Sequence, residues 1–157
     1  MSGSAVPQVE TGQYRVVGSI VKIRTHEREE LHNLTQRVRD FVRMSGVIAG
    51  TVTVSSLHTT NAIFINEWQD ALLHDIKEHL NRTVGKDLYY RHNDPAWSDC
   101  DRHNADAHLR SAMLGVSLTL QVADADVVLG KWQSIIMAEF DGPQERTIRI
   151  QAMGIVE

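Results

Sequence analysis

The amino-acid sequence predicts an α+β fold: mainly antiparallel sheet, two main helices and one short helix. Three observations carry that expectation. Apolar residues alternate with period two in well-separated segments, as in Thr51-Val52-Thr53-Val54 and Leu118-Thr119-Leu120-Gln121-Val122. Helical spacing of apolar residues is confined to a few stretches between them. There is no repeating strand–helix–strand series and no GxGxxG, which argues against a parallel dinucleotide-binding sheet.

Taken in order, Gln13 to Arg24 (QYRVVGSIVKIR) is dense in β-branched residues and reads as the first strand, with Gly18 a candidate bulge. Leu31, Leu34, Val38, Phe41 and Val42 predict an amphipathic helix over residues 28 to 44, ended by Gly46. Strands follow over 47 to 58 and 61 to 65. Trp68, Leu72, Ile76 and Leu80 lie four apart and predict a second helix over 67 to 81. Asp87 to Tyr90 reads as a short strand, and RHNDPAWSDCDRHN, with Pro95 and no period, as a polar loop. Ala105 to Met113 is the short helix, on which Asn104, His108 and Ser111 share one side. A strand over 117 to 122 precedes a long one over 127 to 140, in which Glu139 is in phase with Ile135 and Met137. After the turn Asp141-Gly142-Pro143, residues 147 to 153 return antiparallel with Ile148 and Ile150 inward.

The 157 residues suffice for one domain with its own core, read as a flexible N-terminus over 1 to 12 and a single domain over 13 to 157. A net charge of −4 supplies no basic field for nucleic acid. One cysteine, Cys100, allows no internal disulfide and fits a reducing cytosol. No apolar run approaches the ~18 residues of a membrane span, and the opening residues do not form a signal peptide, so a cytoplasmic protein is expected. No P-loop, nucleophile elbow, CxxC or HExxH is present, and no nucleotide cofactor is expected. Eight histidines, several beside Asp or Asn, direct attention to metal or proton chemistry.

The stretch from Leu57 to Glu67 (LHTTNAIFINE) sets an imidazole, two hydroxyls, a carboxamide and a carboxylate at the ends of one apolar run. Counting in twos from Val52 and Val54 puts His58 on their face, toward the interior or a cleft. The alternative is a core histidine satisfied by the backbone, with Asn66 capping the next helix. Glu139, if buried, must be paired, protonated or bound; if its end of the strand is wet, it is a rim carboxylate.

Four blocks then resemble a known family: LTQRVRDFVRMSGVIAGTV at 34 to 52, HTTNAIFINE at 58 to 67, RHNADAHLRSAMLG at 102 to 115 and LGKWQSIIMAEFDGP at 129 to 143. They are similar to the YjbQ-like proteins, long uncharacterised and now often named secondary thiamine-phosphate synthase enzymes. The resemblance implies a compact α+β homotrimer with polar clusters near subunit contacts. By its motifs, His58, Glu67, His108 and Glu139 would be catalytic, and Thr59, Thr60, Asn66, Arg102, Asn104, Ser111 and Gln133 would bind a small-molecule substrate. A divalent ion, Zn²⁺ or Mg²⁺, would be held by His58, His108 and a loop histidine, His92 or alternatively His103, with an open position for water or substrate. The implied activity is a transferase joining an aminopyrimidine pyrophosphate to a thiazole phosphate. The other expectations are a metal-dependent hydrolase of a small metabolite and a non-catalytic trimeric binding protein. Two departures stand out: Lys131 replaces the usual threonine of LGTWQ, and His103 replaces the glycine that usually precedes Asn104.

Overall fold

A computed structural model describes residues 9 to 156, and the expectation of a flexible segment over 1 to 12 falls largely outside them. Among the described residues eight strands form two antiparallel sheets. The larger has the order β1-β8-β3-β5-β6, with β1 Gln13–Arg24, β3 Val47–Ser56, β5 Ser117–Ala123, β6 Asp126–Val127 and β8 Glu145–Val156. The smaller has the order β2-β7-β4, with β2 Glu30–Asn33, β4 Asn61–Asn66 and β7 Ser134–Glu139. Three α-helices, α1 Thr35–Ser45, α2 Asp70–Thr83 and α3 Ala105–Leu114, complete the α+β architecture that the periodicities predict.

The inward residues of β3 and β8, including Val52, Val54, Ile148 and Ile150, meet Ile63, Ile135 and Met137 of the small sheet. Helix α1 seals this core with Val38, Phe41 and Val42, and ends at Gly46 in the left-handed conformation, φ 75°. The other face of the small sheet carries Ala62 and Ala138, and with Phe140 it packs on Leu80 of α2 and Ala107 of α3. Both faces of β7 are therefore covered, which is why Ile135 through Glu139 are all buried. No described helix is long and apolar enough to cross a membrane.

Three predicted elements differ. The helix expected from residue 28 begins at Thr35, because Glu30–Asn33 pairs with β7 as an edge strand. The Asn33 side chain then accepts from the Thr35 amide and turns the chain into α1. The long strand over 127 to 140 is broken: the Gln133 amide bonds back to the Gly130 carbonyl, and its side chain accepts from the Gly130 amide, making a turn before β7. Asp87–Tyr90 forms no strand; the Leu88 amide instead turns back on Gly85.

Candidate functional site

The connection from β3 to β4 is held by Ser56, whose hydroxyl donates to the Asn61 side chain and accepts from the His58 amide at 3.1 Å. Between these clamps His58, Thr59 and Thr60 are presented to a cleft of about 360 Å³. Its other walls come from the N-terminus of α3 (Arg102, Asn104, His108) and from the β7–β8 turn with the start of β8 (Asp141, Gln144, Arg146). Residue 142 must be glycine for that turn to dock: a Cβ there would lie 2.0 Å from the Glu27 carbonyl oxygen.

Two ion-pair clusters build the floor. Arg146, 1 % exposed, donates from Nε to Glu139 Oε2 at 2.6 Å and from Nη2 to Glu139 Oε1 and the Thr60 hydroxyl. Glu139, fully buried, also accepts from the Thr25 hydroxyl and the Asp141 amide. Asp141 Oδ2 accepts from Arg102 Nε and Asn104 Nδ2, both at 2.8 Å, while Arg28 Nη1 lies 3.7 Å from Oδ1. Burial pushes the Asp141 carboxyl up, but the Arg102 and Asn104 hydrogen bonds and the charges of Arg102 and Arg28 outweigh it, and its pKa falls below the usual carboxylate value. Arg28 reaches on to Asp106, and Asp106 to the buried Arg110, so charges of alternating sign run from the cleft into the protein.

The imidazoles differ in their protonation chemistry. His58 Nε2 accepts the Thr147 amide proton at 2.9 Å. A neutral ring bonded in this way carries its proton on Nδ1, so His58 meets a ligand as a hydrogen-bond donor. Burial and the Arg146 charge lower its pKa, keeping that neutral tautomer at pH 7. Burial and the His92 charge also lower the pKa of His108, against the opposing effects of Asp141 and a hydrogen bond to the Thr59 backbone. His58 is thus fixed as a donor, and His108 is biased toward its neutral form.

The structure brings together His58, Thr59, Thr60, Arg102, Asn104 and His108 of the predicted set, with Glu139 directly beneath. Other predicted residues lie elsewhere. In the β4–β7 ladder Asn61 pairs with Glu139 and Asn66 with Ser134, so Asn66, Glu67 and Gln133 sit at the opposite end of the small sheet. At ~3.3 Å per strand residue, that end is roughly 20 Å from Thr60. Ser111 is buried and donates to the Asn61 carbonyl at 2.6 Å, a tie between α3 and β4. His92 stands outside the cleft, edge-on to His108 with ring centroids 5.0 Å apart, and His103 is exposed at the surface. The three-histidine set therefore does not fit a divalent ion in this protomer: the Nε2 lone pair of His58 is occupied, and its Nδ1 bears a proton. Among the described residues no group of three His, Cys, Asp or Glu is arranged to hold a metal. Asp141, Gln144 and Arg146 line the cleft without having been predicted. Arg146 carried a usable signal, because it is in phase with Ile148 and Ile150, the same argument that singled out Glu139.

A sequence model of the family described as UPF0047 protein YjbQ-like matches residues 19–155. A UPF0047 protein of Methanothermobacter thermautotrophicus is 43% identical over 132 residues, covering 84% of this chain and 88% of the relative. The UPF0047 protein YugU of Bacillus subtilis is 34% identical, covering 85% and 97%. Among solved structures, a YbjQ-like protein of unknown function from Sulfolobus solfataricus superposes with a TM-score of 0.84 at 29% identity, covering 90% of this chain and 99% of that one. These findings correct the thiamine-phosphate synthase expectation: the relatives are named only as UPF0047 proteins, and the structural neighbour as one of unknown function.

Proposed function

The chain belongs to the UPF0047 YjbQ-like family, and on that premise we propose that the cleft binds a small oxyanion-bearing molecule and offers it one proton acceptor. The reading rests on one observation above the others: the Thr147 amide locks His58 as an Nδ1–H donor in a cleft that Arg102 also lines. Arg102 spends Nε and Nη2 on Asp141, and its Nη1 has no protein partner among the described residues. A phosphate or carboxylate oxygen set between these donors receives one neutral and one charge-assisted hydrogen bond. His108, which also lines the cleft and is biased toward its neutral form, is the group that accepts a proton from the bound molecule. Glu139 acts by fixing Arg146 and the Asp141 turn rather than by touching the ligand.

Calorimetric titration with inorganic phosphate at pH 8, where both imidazoles are neutral, tests this reading. Wild-type protein binds, and His58→Ala and Arg102→Ala each weaken binding about tenfold, the worth of one hydrogen bond to a charged group. Absence of phosphate binding, or wild-type affinity in Arg102→Ala, overturns it.

Homotrimeric assembly is part of the same proposal. It is supported by the outer face of the large sheet, where Tyr14, Val16 and Ile20 are 65%, 55% and 54% exposed. Ile20→Lys then lowers the mass measured by light scattering, whereas a wild-type protein that runs as a monomer removes this part.

A further inference from the structure

Away from the cleft, two connections enclose a hollow of about 450 Å³. One joins β1 to β2 and contributes Glu27, Arg28 and Glu29; the other follows α2 and contributes Gly85, Lys86 and Asp87. The fully buried Arg110 ties the two together. Its Nη1 donates to Glu29 Oε1 at 2.8 Å, its Nη2 to Asn81 Oδ1 near the end of α2 at 2.9 Å, and its Nε to the Val84 carbonyl at 3.0 Å. Each connection is also pinned elsewhere. The Gly142 amide donates to the Arg28 carbonyl at 3.1 Å, and the Tyr90 hydroxyl to the Gly85 carbonyl at 2.9 Å. The walls of this hollow are therefore set by hydrogen bonds to the body of the domain.

The charges of its lining fall into two sets. Glu29 is paired with Arg110, and Arg28 with Asp106 at 2.9 Å and Asp141 at 3.7 Å. The side chains of Glu27, Lys86 and Asp87 are exposed and have no hydrogen-bond or ion-pair partner among the described residues. Two carboxylates and one ammonium thus remain to be matched. Charges across a contact select the partner whose own charges complement them. A simple amino acid leaves one of these carboxylates unmatched, and a diamine sets a cation beside Lys86 with no anion to relieve it. A molecule with two ammonium groups and one carboxylate matches all three.

We propose that this hollow is a second binding site, for a small diamino carboxylic acid of the lysine and ornithine class. The ammonium groups of the ligand meet Glu27 and Asp87, and its carboxylate meets Lys86. The site is independent of the anion cleft and shares no lining residue with it.

The experiment compares L-lysine, L-norleucine and cadaverine by calorimetry at pH 7 and low ionic strength on the full chain. Norleucine lacks the distal ammonium of lysine, and cadaverine lacks its carboxylate. Wild-type protein binds lysine at least about threefold more tightly than either, the worth of one ion pair at an exposed position. Glu27→Gln/Asp87→Asn removes the preference for lysine over norleucine, and Lys86→Gln removes the preference over cadaverine. All three positions are exposed, and circular dichroism verifies the fold of each variant. Absence of lysine binding, equal affinity for the three probes in the wild type, or either preference surviving in its variant overturns the site. Each of these outcomes is obtained without phosphate and leaves the oxyanion reading of the cleft untouched.

Discussion

Replacing Glu139 by Gln separates a structural carboxylate from a catalytic one. Glu139 and Arg146 are 0% and 1% exposed, so the substitution leaves a guanidinium charge buried without its counter-ion. The hydrogen bonds show why a side chain of the same size does not rescue it. Glu139 Oε2 receives the Thr25 hydroxyl and Arg146 Nε, and Oε1 receives the Asp141 amide and Arg146 Nη2. A glutamine offers one oxygen for one of these pairs and turns an NH₂ toward the donors of the other. Breaking a buried pair costs about 3–5 kcal/mol. At about 2–4 °C per kcal/mol for a chain of this size, the melting temperature of Glu139→Gln falls by roughly 6–20 °C. The double variant Glu139→Met/Arg146→Met recovers most of that loss, because apolar side chains of similar volume avoid the desolvation of both charges. Thermal and urea unfolding followed by circular dichroism at one fixed protein concentration measures both effects. A loss below about 1 kcal/mol in the single variant, or losses that simply add in the double one, contradicts a Glu139–Arg146 pair of this strength.

Other consequences follow from the same geometry. Because the Asp141 pKa is held below the usual carboxylate value, its stabilisation is fully present above about pH 4 and lost as pH falls through its folded-state pKa. Asp141→Asn is therefore less stable than wild type at pH 7 and shows a shallower acid limb in urea midpoints taken from pH 7 to 3; parallel limbs contradict the assignment. His103 occupies φ 49°, a left-handed conformation that disfavours a side chain, so His103→Gly raises stability by up to about 1 kcal/mol in the same assay, and a loss of stability contradicts it. Prior treatment with EDTA leaves phosphate affinity unchanged, since the donors on His58 and Arg102 need no divalent ion; a loss restored by Zn²⁺ or Mg²⁺ contradicts this.

Much of the cleft was legible because period-two phase survives folding. Val52 and Val54 correctly aimed His58 inward, and the phase of Ile135 and Met137 singled out Glu139 while leaving open whether it was buried or a rim carboxylate; the fold buries it. The helical offset of Asn104 and His108 likewise put both on the cleft side of α3. The errors have a common cause: adjacency in a motif is not adjacency in space. Asn66 and Glu67 follow Thr60 closely, yet the length of β4 carries them to the other end of the sheet. The β2 strand was hidden because Leu31 and Leu34 fit a helical period as readily as a sheet edge. The turn at Gly130 depends on a Gln133 side-chain hydrogen bond that no apolar pattern reports. The tautomer of His58 depends on an amide 89 positions away in the chain, which only the fold brings near.

In the proposed site, His58 is a neutral Nδ1–H donor facing an anion position which it shares with Arg102. Long-range ¹H–¹⁵N imidazole spectra at pH 7, with and without sulfate, test it in one titration. The expected spectra show a neutral His58 protonated on Nδ1, a sulfate-dependent shift of that nitrogen, and movement of His108 toward the imidazolium as the anion raises its lowered pKa. A His58 protonated on Nε2, or histidine signals indifferent to sulfate, contradicts it.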